Sequence, residues 1–306
     1  FVIRLRRCIC LLFLAFSSID DHGFGIKLKI CPKFQTVFMN RLIHASISFH
    51  ARERKLMAMG LGDHEVTMLN FDGPYLMQPR LIRRANRWVD LDDIPGTNLF
   101  CAEEALEEIR RRLPADRERG ITFIGSGNYH YVTYLMLENI DRPFSLLLFD
   151  RHSDMKDKGN GFGLLSCGNW VAQALNRLPL LREAHIVGAA NEGSGVTAQF
   201  RGRIRFWPAD TDPVRLASAL EGRDVYISID KDVLSRESAV TNWDQGNMTL
   251  GRLRELLRAA ARRTRVIGVD VCGECPGKAA DLWRQAFAHR RNEKANLAIL
   301  HALESA

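Results

Sequence analysis

The stretch SLLLFDRHSD, Ser145–Asp154, constrains this chain more than any other. An unbroken apolar run that stops at a polar break is the pattern of a strand buried on both faces, as in parallel sheets. The three polar groups at its end, Asp150, His152 and Asp154, stand two residues apart. In extended chain such residues project to one side, and the carboxyl edge of an open parallel sheet is where ligands bind. Two carboxylates and an imidazole converging there point to a bound cation. The plainer alternative is a loop whose Asp residues cap the next helix.

A second stretch of the same kind, VYISIDKD at Val225–Asp232, ends in Asp230 and Asp232, again at i and i+2. A third apolar run, Ile121–Gly125, leads through Ser126, Gly127 and Asn128 to His130. The pooled donors are four carboxylates and two imidazoles. That is too many anions for one divalent ion and suits two ions sharing bridging carboxylates. Carboxylate-rich ligation without an obligatory thiolate favours Mn²⁺ over Zn²⁺. Two such ions, roughly 3.5–4 Å apart, acidify a shared water and polarise a substrate at neutral pH.

The order GxGNxH (Gly125–His130), DxHxD (Asp150–Asp154) and SxDxD (Ser228–Asp232), each after an expected strand, resembles the arginase/agmatinase (ureohydrolase) family. The similarity runs from about Asn70 to the C-terminus. It implies a three-layer α/β/α fold with a mostly parallel sheet and two manganese ions held by His130, Asp150, His152, Asp154, Asp230 and Asp232. It also implies cleavage of a C–N bond in a guanidino, amidino or amide compound, with a metal-bridging hydroxide as nucleophile. By the same resemblance Asp154 both binds metal and orients that hydroxide. Glu274, in GVDVCGE, matches the carboxylate that holds the substrate's guanidinium group, one residue further along than usual.

The loop TNWDQG offers Trp243 and Asp244 as a substrate wall, with packing under the loop as the equal alternative for Trp243. Asn169, read as substrate-binding, stands near the place where arginases carry a proton-shuttling His. Here no His occurs between Ser153 and Ala184. Tyr129 replaces the family's Asp before the first ligand His. Arg151 replaces a small residue between Asp150 and His152, and alternation aims it away from the metals.

Of a formal charge of +7, residues 1–67 carry 10 Lys/Arg against 5 Asp/Glu, and the remainder carries 33 against 31. The basic balance therefore belongs to the leader and does not argue for nucleic acid. The leader opens on Phe1, and Arg4, Arg6 and Arg7 precede CICLLFLAF, imitating a signal peptide with no small-residue cleavage site. We read 1–67 as non-native or disordered, with Met57, Met59 or Met68 as starts, secretion as the alternative, and 68–306 as one hydrolase domain. Its apolar run is too short to span a bilayer. Seven scattered cysteines suit a reduced, cytoplasmic protein. Cys272-Gly-Glu-Cys275 lacks a second pair to complete a zinc site and is read as coincidental.

Within the domain the patterning predicts helices over Ala102–Leu113, Tyr131–Asn139, Asn169–Arg177, Pro213–Leu220, Thr249–Arg262 and Leu282–Leu303. It predicts strands at Ile121–Gly125, His185–Ala189, Ile204–Trp207 and Val266–Val271. A Gly- and Lys-rich loop occupies Lys156–Gly163, and Leu164–Gly168 opens the helix that follows. His289 and His301 on the last helix read as surface or packing residues. The partner expected is a small guanidino or amide molecule, with neither nucleic acid nor membrane, and a homo-oligomer is compatible. Two rival readings share the scaffold: a deacetylase-type amide hydrolase with one Zn²⁺, and a non-catalytic binding protein.

Overall fold

The computed structural model describes residues 65–114, 120–156, 163–189, 200–276 and 285–306. Residues 1–64 of the expected leader, 157–162 of the Gly- and Lys-rich loop and 282–284 of the expected last helix lie outside them.

Eight strands form the central sheet: β1 (Val66–Asn70), β2 (Arg87–Asp90), β4 (Ile121–Phe123), β5 (Phe144–Phe149), β7 (Leu181–Val187), β8 (Ile204–Trp207), β9 (Asp224–Asp230) and β10 (Arg265–Cys272). Their spatial order is β2-β1-β4-β10-β9-β5-β7-β8, and every neighbouring pair is parallel. A separate two-residue pairing joins β3 (Phe100–Cys101) antiparallel to β6 (Leu165–Ser166). The helices are α1 (Pro79–Ile82), α2 (Glu103–Arg112), α3 (Val132–Leu137), α4 (Trp170–Arg177), α5 (Pro213–Ala219), α6 (Leu250–Arg263) and α7 (Ala286–Glu304).

β5 shows why the layers form. Leu147 and Phe149 enter one core with Leu253, Leu256 and Leu257 of α6 and Ile299 and Leu300 of α7. Leu146 and Leu148 enter the other with Ile109 of α2, Val132 and Leu135 of α3, and Val171 of α4. All four β5 side chains are fully buried, each a gain of about 1.5–3 kcal/mol over exposure. The strand is thus apolar on both faces because helices cover both.

Helix ends follow local chemistry. In α2, Glu103 and Glu104 open the first turn and Arg110–Arg112 close the last, which suits the helix dipole. The Asp212 side chain accepts from Arg215 N ahead of α5, and Thr249 accepts from Arg252 N ahead of α6, satisfying amides the helix leaves open.

Three expectations shift. β1 begins at Val66, two residues before Met68. β7 begins at Leu181 rather than His185: Arg182 faces solvent, and Glu183, buried, pairs with Arg223, so polar residues masked the strand's start. Leu164–Gly168 does not open a helix, because Leu165 and Ser166 pair with residues more than sixty positions earlier.

Candidate metal centre

The four innermost strands, β4, β10, β9 and β5, bring their carboxyl ends together at the middle of the sheet. Asp150 directly follows β5, and its amide donates to Val187 O at 3.0 Å. Asp230 ends β9, and its Oδ1 accepts from the Asp232 amide at 2.9 Å. His130 closes a 3-10 turn, Gly127–Tyr129, beyond β4. Asp154 adopts φ 50°, rare for a residue with a Cβ. Such strained backbone clusters at functional sites.

These residues form two overlapping donor sets. In the inner one, His130 Nδ1 lies 3.2 Å from Asp150 Oδ2, 3.1 Å from Asp154 Oδ2 and 3.6 Å from Asp230 Oδ2. In the outer one, His152 Nδ1 lies 3.6 Å from Asp150 Oδ1 and 2.9 Å from Asp232 Oδ2. Asp150 therefore turns one oxygen to each imidazole. Potential ligand atoms of His130, Asp150 and Asp154, and of Asp150, His152 and Asp232, each lie within 4.8 Å of one another.

Surrounding groups orient the donors. His130 Nε2 is 2.9 Å from Ser228 Oγ, which donates to Asp270 Oδ1 at 2.7 Å; this leaves Nδ1 facing the carboxylates. Trp170 Nε1 donates to Asp154 Oδ2 at 2.6 Å. Such outer partners fix ring orientation and ligand basicity. Trp170 could not be tied to the site from sequence, whereas Asp270 stands at the alternate position before Cys272 and Glu274 in GVDVCGE. Ser228 carried a signal, since it shares the i, i+2 face of Asp230 and Asp232.

The charges are in conflict. Burial first, then neighbouring carboxylates, pushes Asp230 up to about 6 and Asp232 up to about 7. Asp150 and Asp154 rise chiefly by burial. His152 opposes its own partial burial and is pushed up to about 12 by hydrogen bonds to Asp150 and Asp232. Four buried carboxylates this close repel one another when ionised. The donor set fits a pair of divalent ions, which would relieve that repulsion.

Not every expected residue joins the site. Glu274 is fully buried, and both its oxygens are taken. Oε1 is paired with Lys231 and accepts from Asn296 Nδ2 at 2.7 Å; Oε2 accepts from Gln78 Nε2 at 2.8 Å and Asn292 Nδ2 at 2.9 Å. Nothing remains to receive a guanidinium group, so the structure gives Glu274 a structural place. Asn169 is likewise committed: Oδ1 accepts from Ser166 N, and Nδ2 donates to Leu164 O.

Trp243 and Asp244 do reach the site's mouth. Asp244 Oδ1 lies 2.8 Å from His152 Nε2 with its side chain 66% exposed, open to a ligand. Trp243 meets His152 edge-on at 5.8 Å and donates from Nε1 to Asn128 Oδ1 at 3.0 Å. Arg151 turns outward, its Nε 3.8 Å from Asp244 Oδ2, while its amide donates to Asp232 Oδ1. Tyr129 stacks on Phe71 with centroids 4.2 Å apart, away from the carboxylates. Cys272 and Cys275 are both free; Cys275 Sγ donates to Val240 O, whereas Cys272 Sγ donates to Asp230 Oδ2.

An all-parallel eight-stranded sheet covered by helices on both faces, with a cluster of imidazoles and carboxylates at its carboxyl edge that could hold cations, defines a three-layer α/β protein. Residues 74–280 match the Arginase family, and the chain belongs to that family. An uncharacterised protein of Thermotoga maritima is 32% identical over 238 residues, covering 78% of this chain and 89% of that protein. Among solved structures, the proclavaminate amidino hydrolase of Streptomyces clavuligerus superposes with TM-score 0.57 at 14% identity, covering 79% of this chain and 92% of that one. The formimidoylglutamase of Bacillus subtilis gives 0.58 at 12% identity, covering 81% and 89%.

Proposed function

We propose that the protein is a hydrolase that uses two divalent ions, Mn²⁺ in the first instance, to cleave a C–N bond of a guanidino or amidino compound. One observation carries the reading: Asp150 offers Oδ2 to the His130 set and Oδ1 to the His152 set, the posture of a carboxylate shared by two cations. This favours two ions over the single zinc of a deacetylase-type site. Family membership, and the amidino and formimidoyl compounds named for two structural relatives, support the substrate class.

Bound ions would supply an acidified water and Lewis-acid polarisation of the substrate. His130, Asp150, Asp154 and Asp230 would hold the inner ion, and Asp150, His152 and Asp232 the outer one. Asp154, held by the Trp170 indole N–H, would be placed to orient a water at that position. At the mouth, His152 draws Asp244 below the ordinary carboxylate range, so Asp244 stays anionic and can receive the cationic end of a substrate. Trp243 walls the same opening. A reduced cytoplasmic setting accords with the four free cysteines among the described residues, where also no helix is long and apolar enough to cross a membrane.

The test is release of urea or ammonia across arginine, agmatine, guanidinobutyrate and formimidoyl compounds. Activity should vanish on chelation and in Asp232→Ala, and the chelated wild type should recover with Mn²⁺. Full turnover by metal-free protein would refute the proposal. Silence on every substrate with two metals bound would favour a binding protein instead.

A further inference from the structure

Cys272 belongs to one hydrophobic core, yet its thiol reaches Asp230 at the candidate metal centre. It ends β10 and pairs in register with Asp230 at the end of β9, so the two side chains share a face. The thiol is fully buried, and Sγ lies 3.1 Å from Asp230 Oδ2. That same oxygen lies 3.6 Å from His130 Nδ1. Potential ligand atoms of His130, Asp230 and Cys272 all fall within 4.8 Å of one another. An imidazole, a carboxylate and a thiol thus converge from β4, β9 and β10, three strands adjacent in the sheet.

Two glycines keep this corner tight. A Cβ on Gly127 would stand 2.8 Å from Asp230 Oδ2, and one on Gly273 (φ 82°) would collide with Asp230 Oδ1. Backbone therefore closes around Asp230, while Cys272 Sγ faces the donors. A thiol is a weak hydrogen-bond donor and a poor means of holding a carboxylate. Apolar filling would be served by a valine such as Val271 next to it. As a thiolate, however, sulfur is a strong and selective ligand for borderline metals, and its presence shifts preference away from Mn²⁺.

We propose that Cys272 is a thiolate donor to the inner cation position, beside His130 and Asp230, and that this position takes a borderline divalent ion such as Zn²⁺, Fe²⁺ or Co²⁺. The inference rests on the metal-site reading above and changes the identity of one of its two ions. On binding, the Cys272 S–H bond breaks, its proton leaves to solvent and the sulfur lone pair forms the bond to metal; nothing is oxidised or reduced. A coordinating thiol is deprotonated outright by the cation.

The probe is Co²⁺ titrated into the metal-free full chain and read by absorption spectroscopy. The wild type should develop both visible d–d bands and a near-ultraviolet thiolate-to-cobalt charge-transfer band. Cys272→Ser should keep d–d bands and lose the charge-transfer band, whereas Cys167→Ser should keep both. If Cys272→Ser does not fold, Cys272→Ala serves, and the wild-type spectrum alone still decides whether any thiolate binds. In competitive loading with Zn²⁺ and Mn²⁺, Cys272→Ser should lower the Zn/Mn ratio by roughly 10–100-fold, the scale seen when groups around a metal are removed. Cobalt bound without a charge-transfer band would overturn the thiolate assignment and leave the two-metal site standing. A charge-transfer band that survives in Cys272→Ser would overturn it too. No cobalt bound at all would overturn both readings together.

Discussion

Replacing Glu274 by Gln separates a buried structural carboxylate from a substrate-binding one. Glu274 and Lys231 are both fully buried and paired. Lys231 has one further acceptor, Asn296 Oδ1 at 2.9 Å. In Glu274→Gln, the new amide group must replace either Oε1, against Lys231 and Asn296, or Oε2, against Gln78 and Asn292. Turning those neighbours round does not help. Asn292 Oδ1 already accepts from Val240 N, its Nδ2 also donates to Val240 O, and Gln78 Oε1 accepts from Asn296 Nδ2. The variant therefore keeps an uncompensated buried ammonium and at least one donor facing a donor. Breaking a buried pair from one side costs about 3–5 kcal/mol. In urea, with a slope of about 2–3 kcal/mol/M, the midpoint should fall by roughly 1–2 M. Lys231→Met with Glu274→Leu should recover part of the loss, because the desolvation cost goes with the charges. Below its transition the Glu274→Gln protein should retain a near-normal KM. An unchanged urea midpoint with a strongly raised KM would refute the argument and return Glu274 to the substrate.

Two further outcomes follow from the same contacts. Trp170→Phe removes the 2.6 Å donation to Asp154 Oδ2, and metal affinity measured by chelator competition should fall roughly 10–100-fold; unchanged affinity would show that Asp154 needs no clamp. His289 is fully buried with neither ring nitrogen bonded among the described residues, and burial lowers its pKa from 6.5. The unfolded chain then binds more protons than the folded one, so stability is lost as pH falls below about 6.5. His289→Leu should flatten that decline in thermal melts, and parallel wild-type and variant curves would contradict it.

The candidate donors stood out in the sequence because they are polar residues placed just past the ends of apolar runs. Asp150, His152 and Asp154, like Ser228, Asp230 and Asp232, occupy alternate positions in the sequence, but only Ser228 and Asp230 lie in a strand: Asp150 to Asp154 follow β5, with Asp154 at φ 50°, and Asp232 sits in a 3-10 turn. Boundaries were less legible where polar residues sit in strands: Glu183 looks like a break until Arg223 is brought beside it.

Glu274 and Cys272 mark the limit. Counting along GVDVCGE, alternation puts Asp270, Cys272 and Glu274 on one face. Gly273, at φ 82°, ends that alternation, and Glu274 turns to Lys231, Asn292 and Asn296 while Cys272 stays with Asp230. The continuous apolar runs pointed to a mostly parallel sheet, and the polar residues just past their ends pointed to its carboxyl edge. Which further side chains meet them was decided by the register of β9 against β10 and by a single left-handed glycine. Those depend on residues tens of positions apart closing on one another, and no local spacing encodes that.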